Sequence, residues 1–183
     1  MMDSRNLAFL GIVAPVLAYL FIAVSISLSP WFRWQSNALS DLGHATHSAA
    51  APIFNSGLLL TGFLISVYAF FSLRQYAKWT SLGLAFSGLS LQTIGAFDEV
   101  YGTIHYIVSV VFFLSIGITS IIYAAEKKSY MGFAGFIVVL LSWALFFTNV
   151  YSAGVAVPEI ISASGVMPWI GVTAIRIYRL NRN

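Results

Sequence analysis

A chain of 183 residues in which 59% of side chains are hydrophobic and 8% charged cannot cover itself with a water-soluble surface, because an ordinary soluble domain carries roughly 25% charged residues. The net charge of +3 sits at the ends of apolar runs rather than in a patch, so no nucleic-acid partner is expected. The sequence holds no cysteine, which excludes disulfides, thiolate metal sites, iron–sulfur clusters and a cysteine nucleophile.

The apolar residues fall in runs suited to a hydrocarbon core of about 30 Å, which takes about 20 helical residues to cross. The first run, 7–28 behind Arg5, is longer than the apolar core of a secretory signal. It is therefore expected to remain as a span, despite the small residues Ala23-Val24-Ser25. A long polar connection, 29–52, follows it. Spans are then expected at 53–73, 80–97, 104–125, 131–150 and 157–175, with short connections that force neighbouring helices to run antiparallel. Residues 1–183 thus read as a single transmembrane domain, an all-α integral membrane protein built as a six-transmembrane-helix bundle with a long first outer loop.

Arg5, Arg74, Lys78, Lys127, Lys128, Arg176, Arg179 and Arg182 fall at the N-terminus, the second and fourth connections and the C-terminus, and only Arg33 falls on the opposite side. Basic residues concentrate on the cytoplasmic side, so both termini are expected to be cytoplasmic. Trp31, Trp34, Tyr76, Trp79 and Tyr130 flank the spans, where amphipathic rings anchor at the interface. Gly83, Ser87, Gly88 and Gly95 in the third span, and Gly165 and Gly171 in the sixth, are small enough to let helices approach closely. The expected setting is the cell membrane, with the bilayer as partner and assembly into an oligomer or larger membrane complex left open.

Acidic residues follow the opposite distribution. Asp41, Asp98, Glu99 and Glu159 belong to the outer connections or outer helix ends, and His44, His47 and His105 join them. In the first connection Ser36 can cap a short helix and Gly43 can end it, which places Ser40 and Asp41 on its last turn. Asp41, His44 and His47 are spaced by three; a metal motif and a solvated loop both fit that spacing. His105 lies about one turn inside the fourth span with Ser109 one turn deeper on the same face. An ionisable group so near hydrocarbon faces a cavity or a partner, the plainest partner being a carbonyl or Tyr101. Pro158 and Glu159 suit a first helical turn on helix-dipole grounds alone. Asn55, Gln92 and Asn149 can bridge helices by hydrogen bonds, and Pro168 should bend the sixth span.

Ser40-Asp41-Leu42-Gly43 after the first span, Phe54-Asn55-Ser56-Gly57-Leu58 opening the second, Phe97-Asp98-Glu99 before the fourth, and His105 with Ser109 inside it resemble the prokaryotic six-span membrane family called domain of unknown function 998. The resemblance covers nearly the whole chain and implies a six-helix bundle without a settled activity. That family's pattern has a proline between the aromatic residue and the acid where this chain has Asp98, so Asp98 and Glu99 both stay open as the equivalent acid.

Acids and histidines without cysteine suit a divalent metal held by oxygen and nitrogen ligands, which would polarise an ester or phosphoester and activate water. The leading expectation is therefore a metal-assisted hydrolase or lipid-modifying enzyme with a site facing outward, acting on a lipid substrate. Asp41, Asp98 and His105 are its candidate metal ligands, and Ser40, Asp41, Glu99, His105 and Ser109 its candidate catalytic residues. His44, His47, Asn55, Asn149 and Glu159 are further polar groups for the same pocket. Two alternatives stay open: a small-molecule or proton-coupled transporter, since intramembrane acids relay protons, and an accessory or structural subunit in which these groups only cap helices.

Overall fold

Residues 4–180 are described by the computed structural model, and six long helices account for most of them. They are α1 (Arg5–Ser27), α2 (Ala51–Tyr76), α3 (Lys78–Ala96), α4 (Thr103–Lys127), α5 (Tyr130–Phe147) and α6 (Ala156–Leu180). No strand occurs among the described residues. All except α3 are apolar and long enough to cross a bilayer. The 19-residue α3 is richer in Ser, Thr, Gly and Gln, and it lies between α2 and α4. The protein is thus a multi-pass membrane protein.

Local chemistry sets the helix ends. Ala77 is extended (φ −146°, ψ 91°) and separates α2 from α3. The exposed amides opening α3 are met from α4, where the Glu126 carboxylate accepts the N–H groups of Trp79 and Thr80 at 3.1 and 2.8 Å. Left-handed residues close α4 at Lys128 (φ 49°) and turn the chain after α5 at Asn149 (φ 54°). That turn stops α5 at Phe147, three residues short of the expected 150. At the other extreme α6 continues to Leu180, five residues past the expected 175. Near its end α2 widens into a π-helical turn at Ala69–Leu73, which the sequence pattern did not suggest.

Each helix packs on the next, and α1 closes the ring against α6. The rings of Phe9 and Tyr178 meet there at a tilt, 4.4 Å between centroids, placing the start of α1 beside the end of α6. The interior is filled by large, fully buried rings: Tyr68 from α2, Tyr123 from α4 and Trp169 from α6. Tyr123 and Trp169 stack at 4.7 Å, Trp169 donates to Ser120 at 3.1 Å, and Thr173 donates to the Tyr123 hydroxyl at 2.7 Å. The polar tips of Trp169 and Tyr123 are thus satisfied between helices, whereas the buried Tyr68 hydroxyl meets no hydrogen-bond partner among the described residues. α2 and α3 approach closely, so that a Cβ on Gly62 would lie 2.4 Å from the Gly88 carbonyl oxygen. Gly171, by contrast, meets nothing within 4 Å and opens no close contact.

A second buried cluster lies at the end of the bundle away from the termini. Leu39 and Leu42 of the long first connection pack there on Phe54, Leu58, Ile94 and Ala156. The connection therefore folds down into the mouth of the ring. Two backbone bonds of 2.9 Å tie it to the α5–α6 connection, from Gly154 N–H to the Trp34 carbonyl and from Ala156 N–H to the Asn37 carbonyl.

Candidate functional site

An open cleft of about 280 Å³ lies at this mouth, lined by Trp31, Asn37, Asp41, His44, His47 and Glu99. Two short 3-10 turns deliver its carboxyl groups: Ser40–Gly43 carries Asp41, and Glu99–Tyr101 begins with Glu99. The turns pack on each other. The first is buried at Leu42 and Gly43. It is pinned from α2 by Asn55, whose Nδ2 donates to the Gly43 carbonyl at 2.8 Å. The second is opened by Asp98, whose side chain accepts the Val100 N–H at 2.9 Å.

Asn37 organises the first turn. Its Oδ1 accepts the Arg33 N–H at 2.9 Å while its Nδ2 donates to Asp41 Oδ2 at 2.6 Å. The same Oδ2 accepts the Ala38 N–H at 3.1 Å. Asp41 is thereby fixed as an acceptor. The Asp41 and Glu99 carboxyl groups face the same cleft from the two turns, and neighbouring carboxyl groups disfavour being ionised together. Partial burial first, then the neighbouring Asp41 carboxyl and the charge of Asp98, push the Glu99 pKa up to about 7. Glu99 therefore exchanges its proton near neutral pH.

The imidazoles of His44 and His47 stack at 4.1 Å with an interplanar angle of 19° on the cleft wall. Thr46 Oγ1 lies 3.2 Å from His44 Nδ1. Glu159 stands behind the cleft rather than in it. It is buried in the first turn of α6, and its Oε2 accepts the Leu39 N–H at 2.7 Å.

The candidate residues thus divide. Asp41, Glu99, His44 and His47 come together, while Glu159 and Asn55 brace the turn that carries Asp41. Ser40 opens that turn and Asn149 forms the exposed reversal after α5; neither lines the cleft. His105 is buried and turns away from the acids: its Nδ1 bonds the Phe97 carbonyl at 2.8 Å, and Ser109 Oγ lies 3.4 Å from its Nε2. A carbonyl only accepts, so His105 Nδ1 is the donor, and the bond closes the end of α3. Asp41, Asp98 and His105 each bind a different partner, and among the described residues no three His, Asp or Glu side chains are grouped to hold a metal ion. Asn37 and Trp31 are cleft residues that sequence reasoning passed over. The spacing of four between Asn37 and Asp41 was the available signal for the first; for Trp31 the anchoring role hid it.

No curated protein and no solved structure matches the chain. The family model described as Protein of unknown function (DUF998) matches residues 12–176, from within α1 to near the end of α6. It spans every element that builds the cleft, and the chain belongs to this family.

Proposed function

We propose that the protein is a membrane-embedded hydrolase or related lipid-modifying enzyme, in which Asp41 and Glu99 form the acid–base pair. The observation that carries the reading is that these two carboxyl groups line one open cleft from two turns that pack on each other, with Glu99 raised to about 7. Unequal environments acting on two neighbouring carboxyl groups are how one comes to donate a proton while the other accepts one. Asp41, oriented by Asn37 and Ala38, takes the proton of an attacking water. Glu99 protonates the leaving oxygen or nitrogen. His44 and His47 border the same space and can pass protons to bulk water.

Transport is the weaker alternative. The ionisable groups gather at one mouth of the bundle, and Tyr68, Tyr123 and Trp169 fill its interior, whereas carriers place their sites near the midplane between moving halves. With the termini in the cytoplasm of the cell, as the distribution of basic residues suggests, the cleft would face outward at headgroup depth.

The test is turnover of defined phospholipids and N-acyl lipids by purified protein in vesicles, with and without a chelator. Asp41→Asn and Glu99→Gln should each reduce release of product by about 100-fold or more while melting with the parent. Failure to cleave any ester, phosphoester or amide lipid under either condition would remove the enzyme reading, and sensitivity to the chelator would restore a metal to the mechanism.

A further inference from the structure

We propose that the cleft receives an organic ammonium group, held over the Trp31 indole and against the Asp41–Glu99 pair. This rests on the reading of the cleft as the reaction site and names the class of substrate it takes. Electrostatics come first. Two carboxyl groups line the space and no Lys or Arg does, so no permanently cationic side chain on the lining opposes them. Its walls point the same way. Trp31, 41% exposed, sits on the lining, and the stacked faces of His44 and His47 border it. Aromatic faces beside carboxylates are the means by which proteins recognise alkylammonium groups, because the ring quadrupole and the anion attract a cation with weakly held water.

A compact metal dication fits this geometry less well. It needs lone pairs converging on one point, but Asp41 Oδ2 already receives two N–H donors, and among the described residues no three His, Asp or Glu side chains are grouped to hold an ion. Volume narrows the choice further. At about 280 Å³ the cleft lies at the small end of ligand sites, roughly 300 Å³ upward, enough for an amine-bearing headgroup and not for a whole lipid. Trp31 also explains why the ligand would come from the bilayer surface. Interface aromatics sit at headgroup level, and this one forms a wall of the cleft as well as an anchor.

The experiment measures binding without turnover, by calorimetry on the full chain in a zwitterion-free detergent. The probes are choline and its uncharged isostere 3,3-dimethylbutan-1-ol. Choline should bind saturably and the isostere should not. Trp31→Ala should weaken choline binding roughly ten-fold, Trp31→Phe should retain most of it, and Trp34→Ala, on the same connection outside the lining, should leave it unchanged. Competition by phosphatidylcholine vesicles but not phosphatidylglycerol vesicles would identify a lipid headgroup as the source; binding of choline without such competition would identify a free amine. Equal affinity for the isostere, or full affinity in a folded Trp31→Ala protein, overturns the proposal. Choline binding with no lipid turnover would keep the ammonium site and sink the hydrolase, while turnover indifferent to headgroup charge would do the reverse.

Discussion

Glu159 Oε2 accepts the backbone N–H of Leu39 at 2.7 Å across 120 residues of sequence, and both residues are buried. A glutamate in a first helical turn needs no explanation beyond the helix dipole, yet here its carboxylate leaves the helix to hold another segment. Leu39 lies two residues before Asp41, so this bond fixes the height of the acid in the cleft. Glu159→Ala leaves the Leu39 N–H buried without an acceptor, at a cost of about 1–3 kcal/mol. Glu159→Gln keeps an acceptor oxygen and should lose less. Thermal melting in detergent and the rate of proteolysis within residues 29–50 should rank parent, Gln and Ala in that order. An Ala variant that melts and resists protease like the parent would show that the connection is held elsewhere.

Hydropathy made the helices legible because a bilayer imposes one length on all of them. Even the less apolar Lys78–Ala96 could be found, since the short connections on either side leave no other place for it. The site was legible only in part. Charge distribution brought Asp41, Glu99, His44 and His47 to one mouth, but not the pairing of Asp41 with Glu99, which depends on two 3-10 turns meeting across separate connections. His105 looked functional because it is an ionisable group near hydrocarbon. Its partner is the Phe97 carbonyl, eight residues earlier; a carbonyl was the plain reading of that position, but which one leaves no mark in a sequence pattern. The short helix expected between Ser36 and Gly43 is a 3-10 turn at Ser40–Gly43, and the burial of Leu39 and Leu42 was hidden because two apolar residues in a polar stretch make no periodic pattern.

Glu99 makes the cleft sensitive to pH in a definite direction. Its pKa rises in the folded protein from 4.5 to about 7, so between those values the folded state holds a proton that the unfolded chain releases. The stabilisation is complete below the lower value and is lost as pH rises through the upper one. Unfolding measured from pH 4 to 9 should therefore show a downward step in stability centred between these limits, and Glu99→Gln should reduce it because the amide does not titrate. A step of the same size in Glu99→Gln would assign it to another group.

The histidine at position 105 should matter for stability and not for the acid pair. His105→Ala removes the donor to the Phe97 carbonyl and leaves a gap at a buried position, with an expected loss of about 1–3 kcal/mol. His105→Asn can restore a donor and should recover part of it. Neither change should move the pH step that Glu99 produces, because the imidazole shares no bond with either carboxyl group. If His105→Ala shifts that step while melting normally, the histidine acts on the cleft after all.

Two glycines separate the packing that builds the cleft from packing that does not. A Cβ on Gly154 would lie 2.3 Å from the Asn37 carbonyl oxygen and 2.6 Å from the Asn37 nitrogen. Both are backbone atoms of the segment that orients Asp41, so the clash cannot be relieved by turning a side chain. Gly154→Ala should cost roughly 1–3 kcal/mol or more. It should also push Asn37 outward and break the bond to Asp41 Oδ2, lowering activity by more than the loss of stability accounts for. Gly171 lies within α6 with nothing inside 4 Å. There the only consequence of an added methyl is helix propensity, a gain of up to about 1 kcal/mol. Melting and turnover of the two alanine variants can be compared directly. Equal effects would mean that the α5–α6 connection does not hold the first connection in register, and the geometry of the Asp41–Glu99 pair would then have to rest on Glu159 and Asn55 alone.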